Sequence, residues 1–295
     1  MIATTGFFDG VHLGHRLVIE RLVSLARERG DESLVVTFWP HPRAVLQDGA
    51  RELRLLNSLE EKKELLRSLG VDRVEVLDFT RSFAALTAEQ YLREILRDRF
   101  GVTTLLMGYD NRLGSDRLTA DTLKPIAEGI GMELKELLPL SFRPSEASGE
   151  ISSTQIRAAL ENGDIASAAE MLGYGYSLKG VVVAGNRLGR TIGFPTANMK
   201  LYEPLKLVPG RGVYVVEAEV LGKKYRGMTN IGLRPTVGGS FTTIETHILD
   251  FDEDIYGLPL RITFLRRLRD EVHFPSLEAL KDQLEKDREC CREQK

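Results

Sequence analysis

The sequence predicts an α/β chain of two domains. The first is a parallel sheet covered by helices on both faces. The second is a small antiparallel β-barrel with a C-terminal helix packed on it. Three observations carry this. The chain has 295 residues, and at roughly 100–200 residues per domain that is room for two. Short apolar runs alternate with helical spacing through the first half, the pattern of parallel strands joined by crossover helices. After about residue 175, strand-like runs follow one another with Gly and Pro between them, which suits an antiparallel barrel.

The elements follow in order. Residues 2–8 read as a short extended run. Residues 16–29 have helical spacing, with Leu17, Val18, Leu22, Leu25 and Ala26 on one stripe. Residues 34–38 (Leu-Val-Val-Thr-Phe) read as a buried strand, and 59–69 as an amphipathic helix carrying many charges. A strand at 74–77, a helix at 88–100, a strand at 104–107, a helix at 125–131 and a strand at 133–137 complete the alternation. Two short helices come next. One, at about 154–160, stops at Asn162-Gly163; the other, at about 165–172, stops at Gly173. Gly173-Tyr174-Gly175-Tyr176 reads as a hinge, so the domains are expected at 1–174 and 175–295. Strands are expected at 181–184, 213–220, 225–230, 243–249 and 260–264, and a closing amphipathic helix at 275–288. In 213–220, Tyr214, Val216, Ala218 and Val220 alternate with Val213, Val215, Glu217 and Glu219. Leu221-Gly222-Lys223-Lys224 then reads as a tight hairpin connection.

Composition excludes several classes. Hydrophobic residues are 42% and charged residues 28% of the chain, so each domain can bury a core and the chain is not disordered. No apolar run approaches the roughly 20 residues that cross a bilayer. The net charge is −3, without the basic excess of a protein that clamps long nucleic acid. Cys290 and Cys291 are the two cysteines; as neighbours they read as reduced thiols, not as a disulfide framework or metal site. The N-terminus lacks a basic region followed by an apolar stretch, so no secretory signal is expected and a cytoplasmic location is.

Gly6-Phe7-Phe8-Asp9-Gly10-Val11-His12-Leu13-Gly14-His15 follows the first strand and opens the first helix. An α/β sheet binds its ligand there, beyond the carboxyl ends of its strands, where helix N–H groups attract phosphate. Gly10 and Gly14 would let a large anion approach the backbone. His12 and His15, three apart, share one side of the first turn and could donate to phosphate oxygens. The plainer alternative is a strand–turn–helix junction with two exposed histidines. Ile151-Ser152-Ser153-Thr154-Gln155-Ile156-Arg157 reads as a helix start, Ser152 and Gln155 forming a capping box. It could also turn its hydroxyls and the Arg157 guanidinium toward a phosphate. Trp39 is either packing at a strand end or an aromatic wall for a ring ligand. His41, between two prolines, is compatible with a simple turn.

In the second half, residues 185–198 carry Gly185, Gly189 and Gly193 at four-residue spacing, with Arg190 among them. Such a loop can wrap phosphates with backbone N–H groups, although glycine-rich barrel loops are often purely structural. Thr196 and Asn198 offer two neutral oxygens two residues apart, which suits Mg²⁺ held mainly by ATP phosphates and water. In the alternating strand 243–249, Glu245 and His247 share a face. Glu245 is either part of a polar outer face or a general base for an alcohol.

Taken together, these segments resemble the nucleotidylyltransferases with an H-x-G-H loop and an I-S-S-T-x-I-R helix, which implies a Rossmann-like first domain. The whole chain, from about residue 2 to about residue 287, resembles the bacterial bifunctional riboflavin kinase/FMN adenylyltransferase (FAD synthetase) family. Further matches are Phe38-Trp39-Pro40-His41-Pro42-Arg43, Gly108-Tyr109-Asp110-Asn111-Arg112-Leu113-Gly114, and Gly193-Phe194-Pro195-Thr196-Ala197-Asn198 with the later Glu245-Thr246-His247-Ile248-Leu249-Asp250-Phe251. Asn111 and Leu113 depart from it, since the family usually has aromatics there. The resemblance implies that the first domain moves AMP from ATP to the phosphate of FMN, giving FAD and pyrophosphate. His12 and His15 would hold phosphates. Gly6, Phe7, Asp9, Gly10, Gly14, Asp110, Ser152, Ser153, Thr154 and Arg157 would bind nucleotide. It implies that the second domain phosphorylates riboflavin. There Gly185, Gly189, Arg190 and Gly193 would hold ATP, Thr196 and Asn198 would hold Mg²⁺, Glu245 would be the base, and Arg269 and Phe274 would close over the flavin. Riboflavin, FMN and ATP are then the partners, with no nucleic acid and no membrane. Two alternatives stay open: that only one activity is retained, or that the chain is a class I aminoacyl-tRNA synthetase-like nucleotidyl transferase.

Overall fold

In the first half, a sheet of five parallel strands has both faces dry because the chain crosses over it with helices. The computed structural model describes residues 1–46, 53–108, 111–137, 151–185, 188–236 and 239–292. The strands are β1 (Ile2–Thr5), β2 (Ser33–Trp39), β3 (Arg73–Asp78), β4 (Thr104–Gly108) and β5 (Glu133–Leu137), in the order β3-β2-β1-β4-β5. Every pairing is parallel, with Ile2 opposite both Ser33 and Thr104. Alternate side chains leave opposite faces. Ala3, Leu34, Val36, Leu105 and Met107 therefore join one apolar cluster, and Ile2, Val35 and Leu106 the other. Because β1 is central and the strand order reverses beside it, the ligand crevice belongs at its carboxyl end.

Helix α1 (Leu13–Arg29) packs the second face with Ile19, Leu22, Val23, Leu25 and Ala26, and stops where Gly30 turns left-handed at φ 67°. Three short segments in this half carry no strong periodicity: α2 (Pro42–Leu46), α4 (Arg81–Ala84) and α5 (Ala88–Gln90). Between them, α3 (Leu59–Ser68) starts with a capping box, Ser58 and Glu61 each satisfying the other's backbone N–H. The expected helix at 88–100 corrects to α5 followed by a π-helix over Tyr91–Arg99. Its buried Tyr91, Leu92 and Leu96 repeat as they would in an α-helix, so spacing could not separate the two. Helix α6 (Ala120–Gly129) begins one turn before the expected start, with Pro125 inside it.

The second half is a closed barrel in the order β10-β7-β6-β11-β8-β9, all antiparallel. Its strands are β6 (Ser177–Val183), β7 (Ala197–Leu201), β8 (Gly212–Val220), β9 (Lys223–Thr236), β10 (Gly239–Ile248) and β11 (Pro259–Arg269). The sequence reading gave five of them and no strand at β7, whose first two residues it put at the end of the glycine-rich loop. It also began β6 four residues late, which shortens the expected hinge. The β8–β9 hairpin is as expected: Val220 pairs with Lys223, and Leu221 and Gly222 both take positive φ, 53° and 73°. Tyr176, Tyr214 and Phe264 are buried together, Tyr176 stacked on Phe264 and Tyr214 edge-on to it. A four-residue turn, α9 (Leu188–Thr191), lies between β6 and β7. The last helix, α10 (Leu277–Arg292), buries the free thiol of Cys291 with Val215, Met228, Leu249 and Phe194; Cys290 is exposed.

Helices α7 (Ser153–Glu161) and α8 (Ile165–Leu172) precede the barrel. Gly210 N donates to Leu160 O and Arg267 Nη1 to Asn162 O. The compact units are therefore Met1–Ser152 and Ser153–Lys295, whereas the boundary read from the Gly173–Tyr176 hinge falls after α8.

Candidate active sites

The first candidate site grows from the end of β1. Gly6 N still bonds to Val36 O of β2, and Thr37 Oγ1 donates to Phe7 O, so the loop leaves the sheet under control. Phe8, Gly10 and Val11 then take φ of 53°, 85° and 38°. For a phenylalanine and a β-branched valine this is strained backbone, the kind found where a loop must hold a ligand. Asp9, expected to meet nucleotide, is 4% exposed and accepts from Leu56 N (3.0 Å) and Asn57 N (3.4 Å), tying the loop to the segment before α3. Phe7 meets His41 edge-on at 4.1 Å, and His41 Nδ1 accepts from Arg43 N, so this histidine caps α2 as well as contacting the loop.

His12 stands at the N-cap of α1 in extended conformation without a side-chain cap bond, and no acidic residue lies in the first turn. That leaves the positive end of the helix without a countercharge of its own. His12 and His15 lie on one side of the first turn as expected, and beyond that their rings stack at 3.6 Å with an interplanar angle of 20°. Phe8 closes the far side of His15, edge-on at 5.3 Å. Burial pushes the His12 imidazole down to about 4, and pushes His15 well below its usual range, with the charges of His12 and Lys62 adding to it. Both Nδ1 atoms are buried without a hydrogen-bond partner. Two neutral, stacked, unsatisfied imidazoles at a helix N-terminus are donors waiting for acceptors.

Lys62, on α3, is the residue that sequence reasoning missed here. It is fully buried, with Nζ 3.5 Å above the centre of the Phe7 ring. Of the partner segment, Ile151 reaches this loop: its carbonyl lies 3.9 Å from where a Cβ on Gly14 would stand. Ser152 follows it, and Ser153, Thr154 and Arg157 lie on α7, in the second unit. Asp110 lies outside the described residues. Leu113 bridges to Leu118 and packs on the sheet's apolar cluster, and Asn111 N donates to Gly108 O.

The second candidate site is built by strand register. Glu245 of β10 lies directly opposite Asn198 of β7 and, on its other side, Asn230 of β9. Directly opposite residues share a face and nearly touch. The carboxylate and the carboxamide are thus neighbours although 47 residues apart in sequence. Thr196, two residues before Asn198, joins Asn198, Gly185, Arg190 and Tyr256 in lining a cavity of about 260 Å³. Among the described residues Glu245 is not part of that lining; it stands beside it through Asn198. Arg234 Nη2 holds Glu245 Oε1 at 3.3 Å, a partner the sequence gave no reason to choose.

The glycine-rich loop is shaped by close approach. A Cβ on Gly185 would come within 2.3 Å of Asn198 Nδ2, and one on Gly189 within 2.2 Å of Phe194 O. His247 Nδ1 lies 2.8 Å from Pro195 O; a carbonyl only accepts, so Nδ1 carries the proton. Phe194 is buried under the Arg288 guanidinium, 5.1 Å from its ring centre. Gly193, with φ 84°, lines an adjoining cavity of about 460 Å³ with His247 and Arg288, and the two cavities share Pro195 and Ile248. The donors at Thr196 and Asn198 are few and neutral, which fits a Mg²⁺ carried on phosphates better than a resident metal. Arg269 and Phe274 do come together, with the guanidinium 5.7 Å from the ring centre. The guanidinium is bound to Asp287 of α10, Nη2 to Oδ2 at 2.7 Å.

Comparison with known proteins agrees with this division. A riboflavin kinase family model matches residues 172–295, and a FAD synthetase family model matches residues 1–155. A bifunctional riboflavin kinase/FMN adenylyltransferase of Bacillus subtilis is 36% identical over 98% of this chain and 90% of its own. The Escherichia coli protein so named is 38% identical over 99% of this chain and 92% of its own. A crystal structure described as a macrolide-efflux protein from Streptococcus pneumoniae superposes with a TM-score of 0.91 at 34% identity, covering 100% of this chain and 94% of that one.

Proposed function

The chain belongs to the bifunctional riboflavin kinase/FMN adenylyltransferase family, and from that premise we propose which residues carry each of its two reactions. Residues 172–295 form the riboflavin kinase and residues 1–155 the FAD synthetase, so riboflavin, ATP and FMN are substrates and FMN and FAD are products. Both domains are present, which favours the bifunctional reading over a single retained activity or a class I aminoacyl-tRNA synthetase-like nucleotidyl transferase. No helix among the described residues is long and apolar enough to cross a membrane. The efflux description of the streptococcal neighbour is not carried over. We place the protein in the cytoplasm, with no nucleic-acid partner.

In the kinase half, Glu245 takes the proton from the terminal ribityl hydroxyl as its oxygen attacks the γ-phosphorus, and the bond to the ADP oxygen breaks. The observation that supports this is the ladder pairing of Glu245 with Asn198, which sets a base beside the residue assigned to the metal. Thr196 and Asn198 hold Mg²⁺, which when bound supplies positive charge against the phosphate oxygens. Gly185, Gly189, Arg190 and Gly193 surround the ATP phosphates. Arg269 and Phe274 close over the flavin.

In the synthetase half, the FMN phosphate attacks the α-phosphorus of ATP and pyrophosphate leaves, so no protein nucleophile is needed. His12 and His15 donate to phosphate oxygens, within a loop formed by Gly6, Phe7, Asp9, Gly10 and Gly14. Ser152, Ser153, Thr154, Arg157 and Asp110 complete the nucleotide contacts. The functional division then falls at 174/175, later in the chain than the compact units do.

Purified protein given riboflavin, ATP and Mg²⁺ is expected to yield FMN first and FAD second, resolved by chromatography. Flavin products that form without ATP, or no product at all, would sink the assignment. A finer test concerns Gly185. Gly185→Ala places a methyl group 2.3 Å from Asn198 Nδ2, so the carboxamide must swing away. Riboflavin phosphorylation should fall roughly 100-fold, the cost of moving a positioning group by about 1 Å, with FAD formation from added FMN unchanged. An unaltered KM for ATP would remove Asn198 from the metal site.

A further inference from the structure

Lysine is almost never fully buried unless paired, because taking an ammonium from water costs several kcal/mol. Lys62 is 0% exposed, on a helix that is otherwise secured by its own capping box. Methionine or leucine would fill the same space without that cost. The surroundings indicate what the charge is for. Lys62 Nζ sits 3.5 Å above the Phe7 ring centre and 3.5 Å from Thr37 Oγ1. The same Thr37 hydroxyl donates to the Phe7 carbonyl at 3.2 Å. Residue 7 is thus held twice, its ring by the ammonium and its backbone by the hydroxyl that the ammonium contacts. Two residues on, Asp9 supplies the opposing charge while its Oδ1 is engaged with the backbone of Leu56 and Asn57. From α1, His15 is pushed toward neutrality first by burial, then by His12 and last by the Lys62 charge. On α3 itself, Glu61 Oε2 accepts from Ser58 N, and Lys63 pairs with Glu60.

We propose that Lys62 is a positioning residue of the adenylyl-transfer site, a buried ammonium that pins the Phe7–Asp9 loop leading into the His12–His15 pair. This rests on the reading of His12 and His15 as the phosphate-holding pair. Nothing in the 59–69 sequence distinguishes Lys62 from the charges around it; its role exists only once Phe7, Thr37 and Asp9 surround it. Burial lowers the Lys62 ammonium to about 8 against the opposing pull of Asp9, so its charge is present at neutral pH and lost in mild base.

The test is Lys62→Met in the full chain, of similar length and without charge. FMN adenylylation should lose roughly 10–100-fold in kcat, while riboflavin phosphorylation by the same preparation stays at the parent rate. In the parent, adenylylation should also fall as pH rises through about 8, and K62M should lack that limb. A merely structural lysine would give neither the split between the two activities nor the changed pH profile. Wild-type adenylylation with the parent's pH profile in K62M overturns the proposal. So does a Lys62→Gln variant that also melts well below the parent, since the ammonium would then be holding the fold. If His15→Ala loses FAD formation while K62M keeps it, the histidine reading stands and Lys62 leaves it. If both keep it, the histidine reading falls as well.

Discussion

Glu245→Gln is expected to stop riboflavin phosphorylation while leaving the conversion of added FMN to FAD intact. The substitution keeps the side chain's length and its ability to accept from Arg234, which lies 3.3 Å from Oε1. It removes only the capacity to take a proton. If Glu245 is the general base, kcat should fall by roughly 10²–10⁴, with little change in KM for ATP, because Thr196 and Asn198 are untouched. A carboxylate that only completes the ladder against Asn198 and Asn230 would predict the opposite: a small loss of stability and nearly full activity. Single-turnover formation of FMN, followed by chromatography, separates the two. A rate within a few-fold of the parent would strike Glu245 from the chemistry. The Arg234 contact adds a second consequence. The guanidinium orients the carboxylate through Oε1 and leaves Oε2 to receive the ribityl proton. Arg234→Gln should therefore change kcat and leave FAD formation alone.

How much of this was legible in the sequence depends on whether the information is local. The parallel sheet was legible because β1, β2 and β4 are buried on both faces and read as apolar runs. His12 and His15 could be paired because three residues bring them round to one side of a helical turn. Strand β7 was not legible. Ala-Asn-Met-Lys-Leu does alternate apolar with polar, but over only five residues that run straight on from a glycine-rich loop, so its identity comes from β6 and β10 on either side of it. The neighbourhood of Glu245 and Asn198 was hidden for the same reason, since only the register between β7 and β10 creates it. Lys62 was hidden in another way. In one dimension it is one charge among several on an amphipathic helix, yet Glu61, Lys62 and Leu66 are the residues that α3 buries. Arg269 and Phe274 stand together, but the bond that holds the guanidinium comes from Asp287 on α10, which no local pattern foretells.

His15→Ala should produce the mirror image of the Glu245 result: FMN accumulates and FAD does not form. Removing one donor aimed at developing charge typically costs roughly 10²–10³ in rate. His15 suits that role because its orientation is fixed on two sides, by the stack with His12 at 3.6 Å and the edge of Phe8 at 5.3 Å. The same burial predicts how stability responds to acid. His12 is held down to about 4, and His15 well below its usual 6.5, mainly by desolvation. In the unfolded chain both imidazoles take up protons near 6.5. Between 6.5 and about 4, then, the unfolded state binds more protons than the folded one. Stability contributed by the neutral pair is whole above that window and drains as pH falls through it. His15→Ala removes one of the two groups, so the thermal midpoint of the full chain should fall less steeply than the parent's from pH 6.5 toward pH 4. The two readouts are independent. Lost adenylylation with an unchanged acid slope would mean that His15 reaches the substrate from a wetter position than the stacked geometry gives it. A flattened slope with full adenylylation would make the histidine pair a structural feature and return the phosphate contacts to the backbone of the loop.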